Sequence, residues 1–173
     1  MPLLYLAMAQ DGYLTEDGMA QVAALIGLTP AQVLSVASFY TMYKTEPVGR
    51  YLVSCCTSIS CMLLGSDDVM RVLEEETGHD DPITIEHAEC LGACGGAVAV
   101  QVNYELIEGI TTDRARQLVQ WLRKAQPEVV NTDEMQNLFG GRRSFEWAIA
   151  DEEGAVGPVP AFGPLATTGR SGS

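Results

Sequence analysis

Apolar residues change their rhythm twice along this chain. From residue 3 to 43 they recur at helical spacing. Thr15 precedes a run in which Met19, Val22, Ala23 and Ile26 share one face, and Gly27 stops it. Thr29-Pro30-Ala31-Gln32 has the form of a second helix start: Thr29 can cap, Pro30 suits the first turn and Gln32 completes a capping box. Val33, Val36, Ala37 and Tyr40 then line a face. At Pro47-Val48-Gly49 the pattern breaks. Tyr51 to Cys55 reads as a strand, residues 62 to 77 as a helix ended by Gly78, and Ile83 to Glu89 as an alternating strand. Ala97 to Val102 alternates again, Glu105 to Glu108 is a fourth short strand, and Thr112-Asp113 opens an amphipathic helix with Ala115, Leu118, Val119 and Leu122 inside.

The order strand, helix, strand, strand, strand, helix predicts an α/β (α+β) domain of thioredoxin-like arrangement, preceded by a small N-terminal helical bundle. The domains expected are the bundle at 1–47, the sheet domain at 48–126 and a C-terminal extension at 127–173. In the extension the periodicity fades. Phe139, Phe145 and Trp147 are candidate anchors for docking on a partner, and the stretch from Gly154 to Ser173 has the composition of a flexible tail.

Charge narrows the partners. A net charge of −13 repels phosphates, which disfavours nucleic acid and anionic lipid. No stretch approaches the ~20 apolar residues of a membrane span, so direct membrane insertion is not expected. The N-terminal Met1 to Ala9 is apolar but brief and lacks a basic lead, so it does not read as a signal peptide. The cysteines are then expected in a reducing compartment, as thiols or metal ligands rather than disulfides.

Four of the five cysteines form two tight pairs, Cys56-x4-Cys61 and Cys90-x3-Cys94, separated by enough chain for a helix and a strand to bring them together. Four soft, anionic thiolates suit a [2Fe–2S] cluster or a zinc ion. Two pairs match the two thiolates per iron of a [2Fe–2S] cluster, with Cys56 and Cys61 on one iron and Cys90 and Cys94 on the other. Zinc sites prefer C-x2-C, plant-type ferredoxins use C-x4-C-x2-C, and a Rieske centre needs two histidine ligands, which His79 and His87 do not supply in a Cys-His motif. The spacing favours the cluster and leaves zinc and free thiols open. Gly92, Gly95 and Gly96 would let backbone N–H groups approach sulfur. Cys55 points away from Cys56 in a strand and reads as a buried thiol. No dinucleotide fingerprint or phosphate loop is present, so NADH and flavin would belong elsewhere.

Val53-Ser54-Cys55-Cys56 through Cys61-Met62-Leu63-Leu64-Gly65-Ser66, and Glu89-Cys90-Leu91-Gly92-Ala93-Cys94, resemble the two signatures of the thioredoxin-like [2Fe–2S] subunit of respiratory complex I. Ala37-Ser38-Phe39-Tyr40-Thr41-Met42-Tyr43 and Pro47-Val48-Gly49-Arg50-Tyr51 resemble its helical lead-in. The resemblance runs from about Leu3 to about Lys124. It implies one [2Fe–2S] cluster on Cys56, Cys61, Cys90 and Cys94. It also implies single-electron exchange with the flavin of a partner that holds FMN and NADH. The complex would be an NADH:quinone oxidoreductase with other peripheral-arm subunits, and the location cytoplasmic, at the inner face of the cell membrane. Similar subunits serve NAD-reducing hydrogenases and NAD-dependent formate dehydrogenases. The alternative of another class is a zinc-stabilised adaptor with no redox role. Two departures stand out: Ala97-Val98 replaces the family's usual Ala-Pro, and the chain starts closer to its first helices than many members, so its bundle is expected to be short of a helix.

Overall fold

The computed structural model describes residues 1–78 and 82–144. His79, Phe145, Trp147 and the glycine- and proline-rich stretch from Gly154 lie outside the described residues. The chain divides into two compact units, one over Met1–Val48 and one that starts at Gly49.

The first unit holds α1 (Pro2–Asp11), α2 (Glu16–Ile26) and α3 (Pro30–Phe39). The expected caps are in place. Thr15 accepts a hydrogen bond from the Gly18 amide at 3.0 Å. Thr29 and Gln32 form the full capping box, each satisfying the other's backbone N–H. Gly27 closes α2 at φ 70°, a conformation open to glycine at little cost. The core is Leu4 and Met8 of α1, Leu14, Met19, Val22 and Ala23 of α2 and its lead-in, Val33 and Ala37 of α3, and Tyr43. The spacing places Ile26 and Tyr40 on the buried faces, yet both are exposed. Burial on α2 stops at Ala23, and Tyr40 lies past the end of α3 in extended backbone. The Tyr43 hydroxyl donates to the Met1 carbonyl.

The second unit is built on a four-stranded sheet of order β2-β1-β3-β4. β1 (Tyr51–Cys56) runs parallel to β2 (Ile83–Ala88) and antiparallel to β3 (Ala99–Val102), which pairs antiparallel with β4 (Glu105–Glu108). All six residues of β1 are buried, so both faces of the central strand are covered. Two helices, α4 (Ile59–Leu63) and α5 (Ser66–Glu76), lie between β1 and β2 in the chain. After β4, α6 (Thr112–Ala125) presents Ala115, Leu118, Val119 and Leu122 to the core, as its period requires. The β3–β4 hairpin turns on Asn103 and Tyr104 at φ 50° and 71°. Asn103 also completes the ladder: its Oδ1 accepts from the Leu52 amide at 2.8 Å and its own N–H donates to the Leu52 carbonyl. The Ala97–Val98 peptide bond is cis.

Two elements differ from expectation. The helix predicted over 62–77 is the pair α4 and α5, because Gly65 takes φ 94° between them. The extension contains a helix that its fading periodicity conceals, α7 (Thr132–Phe139). It is capped by Asn131, whose Oδ1 accepts from the amides of Asp133 and Glu134. Phe139, expected as a docking anchor, is instead buried in this unit's own core, its ring edge-on to Trp121 at 5.7 Å. Among the described residues no single helix is long and apolar enough to cross a membrane.

Candidate metal centre

Parallel pairing brings the cysteine pairs to one end of the sheet, beyond the C-terminal ends of β1 and β2. Cys56 is the last residue of β1, in register with Ala88, the last residue of β2. Both strands therefore release their loops side by side. After β1 the chain makes a short turn, with the Thr57 amide donating to the Ala88 carbonyl at 3.1 Å. It then enters α4, where Cys61 faces inward. After β2, Cys90 lies on a loop that reverses at Gly92, φ 81°, the left-handed region that favours glycine. Cys94 opens a 3₁₀ turn, Cys94–Gly96, that leads into β3.

The sulfurs of Cys90 and Cys94 are 3.5 Å apart. Cys56 and Cys61 share a side-chain hydrogen bond. The two loops also interlock: the Leu91 amide, from the second loop, donates to the Cys56 sulfur, and the Ser60 hydroxyl, from the first, bonds to Cys94. Among the described residues no three His, Cys, Asp or Glu side chains are placed to hold one metal ion together. The thiols come as two neighbouring pairs. Two irons bridged by sulfide ask for that donor set, two thiolates each.

The first pair is buried, Cys56 and Cys61 each 2% exposed, whereas Cys90 and Cys94 are exposed. Burial disfavours thiolate at Cys56, but the amides of Leu91 and Ser58 and the Cys61 side chain outweigh it and draw the thiol below its ordinary value. At Cys61 burial dominates and, with Cys56 alongside, pushes the thiol up to about 11, against a hydrogen bond from the Ala99 backbone. The hydrogen bond with Cys90 holds Cys94 above its ordinary value. Cys56 is thus the thiol that the backbone prepares for ionisation. Cys55 is fully buried, and burial, with Cys61, Cys56 and Asp67 nearby, pushes its thiol up to about 12. His87 stands away on the surface, 3.8 Å from Glu74.

Of the glycines of the second loop, Gly96 departs from the expectation. The amide of Gly96 donates to the Ala93 carbonyl and the Ser144 hydroxyl, not to sulfur. The backbone donors at the Cys56 sulfur are Leu91 and Ser58, residues with no side-chain signal for the task. Position alone could have revealed them: Leu91 directly follows a paired cysteine, and Ser58 stands at a helix entry.

Residues 1–123 match the family of thioredoxin-like [2Fe–2S] ferredoxins. The chain belongs to this family. The matched span takes in both cysteine loops and ends inside α6, before α7. The family's cofactor is a [2Fe–2S] cluster, and the paired donor set described above fits it. Among its relatives, an NADH-quinone oxidoreductase subunit of Mycobacterium tuberculosis is 42% identical over 135 residues, covering 74% of this chain and 54% of that protein. The corresponding subunit of Rickettsia conorii is 36% identical over 131 residues, covering 71% of this chain and 78% of that one. The chain thus spans about half the length of the mycobacterial relatives it matches. In three dimensions it superposes on part of an NAD⁺-reducing [NiFe]-hydrogenase in the H2-reduced state with a TM-score of 0.63 and 18% identity, covering 80% of this chain and 24% of that one. That likeness establishes a shared fold.

Proposed function

We propose that this thioredoxin-like [2Fe–2S] ferredoxin is the electron-transfer subunit of the NADH dehydrogenase module of an NADH:quinone oxidoreductase. It exchanges single electrons with the flavin of a partner subunit that also binds NADH. The carrying observation is the convergence of Cys56 and Cys61 with Cys90 and Cys94 at one end of the sheet, inside the span that matches the family. The four thiolates would hold the cluster, with Cys56 and Cys61 as one pair of ligands and Cys90 and Cys94 as the other. When bound, the cluster supplies a one-electron store. The protein's own task is to keep the sulfurs paired, give Cys56 backbone hydrogen bonds and leave one side open to the electron partner. The names of the mycobacterial and rickettsial relatives support the parent complex. Its other peripheral-arm subunits keep the chain on the cytoplasmic side of the cell membrane.

That open side has a distinct surface. Ile59, Met62, Leu63 and Leu64 flank Cys61 on and after α4, and all four are exposed. Ser60 in the same helix touches Cys94. An apolar rim beside exposed thiols is suited to be covered by the flavin-bearing subunit, which must approach the cluster to exchange an electron.

Iron, acid-labile sulfide and zinc content of the anaerobically purified protein, with EPR after dithionite reduction, tests this function. About two irons and two sulfides per chain with an S = 1/2 signal are expected. About one zinc and no sulfide would leave a structural metal site and remove the electron-transfer role.

A further inference from the structure

The second cysteine loop is held by a segment that lies beyond the family-matched residues. α7 runs alongside β4, the edge strand of the sheet, and the chain then passes Gly140 to Ser144 across the Cys94–Gly96 turn. Gln136 of α7 stands in for a missing neighbour strand. Its Oε1 accepts from the Glu108 amide at 2.7 Å, and its Nε2 donates to the Glu108 carbonyl at 3.1 Å. The Gly141 amide donates to the same carbonyl at 2.7 Å, and Gln136 Nε2 reaches the Gly141 carbonyl at 3.2 Å. Arg114 donates to the Gly140 carbonyl, and Arg143 pairs with Asp133 at 3.2 Å.

The segment ends on the turn itself. The Ser144 amide donates to the Glu108 carboxylate at 2.7 Å, and the Ser144 hydroxyl accepts from the Gly96 amide at 2.9 Å. The Gly96 carbonyl in turn accepts from the Gly109 amide. Glu108 is 3% exposed, so this carboxylate is committed to the interior, and its bond to Ser144 is partly buried. Gly96, two residues after Cys94, is therefore fixed at both its N–H and its C=O. Without these bonds, Cys94-Gly95-Gly96 would be a glycine-rich loop on the surface, with much backbone freedom to lose on binding metal.

We propose that Gly140–Ser144 is a clamp on the metal centre, in which Ser144, anchored by Glu108, is a positioning residue that presets the turn carrying Cys94. The proposal rests on the ligand role of Cys94. Its consequence is kinetic: with the clamp closed, the exposed pair releases metal slowly, because leaving requires the turn to open.

The test uses the full chain with its metal loaded. Iron, sulfide and zinc are first counted on the wild type, which judges the cluster reading separately, since the clamp can be followed with either metal. Hydrogen exchange at the Gly96 amide and metal loss to an excess of chelator are then compared for wild type, Ser144→Ala and Ser144→Thr, beside the thermal midpoint. For Ser144→Ala, faster Gly96 exchange and roughly two- to tenfold faster metal loss are expected, the scale of one lost hydrogen bond. The midpoint should stay close to wild type, and Ser144→Thr, which keeps the hydroxyl, should restore both. Glu108→Gln, which weakens the anchor while keeping the side chain's shape against Gly96, should shift both in the same direction. Metal loss at the wild-type rate in Ser144→Ala would overturn the clamp, and so would faster loss with Gly96 exchange unchanged.

Discussion

The two cysteine loops solve one problem by opposite means. Cys56 and Cys61 sit at the end of a central strand and inside a short helix, both buried. Their positions follow from elements that the core would hold in place with or without metal. Cys90 and Cys94 sit on an exposed, glycine-containing loop with little regular structure. That loop is held from elsewhere by the Ser144 hydroxyl at the Gly96 amide. A metal centre can thus be rigid on one side through packing and on the other through a few polar contacts. The second side is the more easily loosened, and it is the side open to solvent.

The sharpest way to break this contrast is to remove ligands from each side. Cys56→Ser or Cys61→Ser should abolish the cluster, because a buried hydroxyl is a poor ligand for iron. Cys90→Ser or Cys94→Ser should leave a reduced, labile iron and sulfide content. Full occupancy in any of the four would refute its ligand assignment.

Two glycines separate crowding from conformation in the second loop. A Cβ on Gly96 would lie 2.7 Å from the Arg142 carbonyl oxygen and 2.9 Å from Glu108 Cβ. Gly96→Ala should therefore cost about 1–3 kcal/mol in urea unfolding and push the clamp off the turn. Gly92 has open space around it but φ 81°. Gly92→Ala should cost about 1–2 kcal/mol from backbone conformation alone. If the two were equal in their effect on metal loss, the clamp contact would not be what distinguishes Gly96.

On the apolar rim, Leu63→Asp should change stability by less than about 0.5 kcal/mol, since the side chain is 75% exposed. It should weaken association with the NADH-binding subunit by about tenfold, as measured by co-purification or interferometry. Unchanged association would move the docking face away from α4. The smallest effect on function is expected at Cys55→Ala. The visible spectrum should be unaltered, with a loss of about 1 kcal/mol from the missing buried sulfur. Loss of the cluster there would mean that Cys55, not its neighbour, is the ligand.

Much of the molecule is legible in its residues alone. The caps at Thr15 and Thr29, the alternation in β2 and β3 and the apolar face of α6 depend on residues a few positions apart, and short-range stereochemistry decides them. What stays hidden is decided by contacts distant in sequence. α7 carries a capping Asn131, acidic residues in its first turn and Met135 and Phe139 at helical spacing. Its eight residues are too short a run for periodicity to stand out, and it is held by Trp121 and the edge of β4. Phe139 looks like a partner's anchor because a sequence does not say which apolar residues its own core will claim. The break at Gly65 is hard to see because one glycine inside a helical pattern is often tolerated.

The sequence by itself determined which candidate ligands this protein offers: four thiols in two pairs, at a spacing that suits iron and sulfide, between elements of a thioredoxin-like order. Those are matters of residue type and local spacing. Only the tertiary structure decided that β1 and β2 release their loops side by side, that one pair is buried and the other exposed, and that Ser144 reaches back to Gly96. Hydrogen bonds and burial between residues far apart in the chain set those features, and their partners become neighbours only once the sheet has formed.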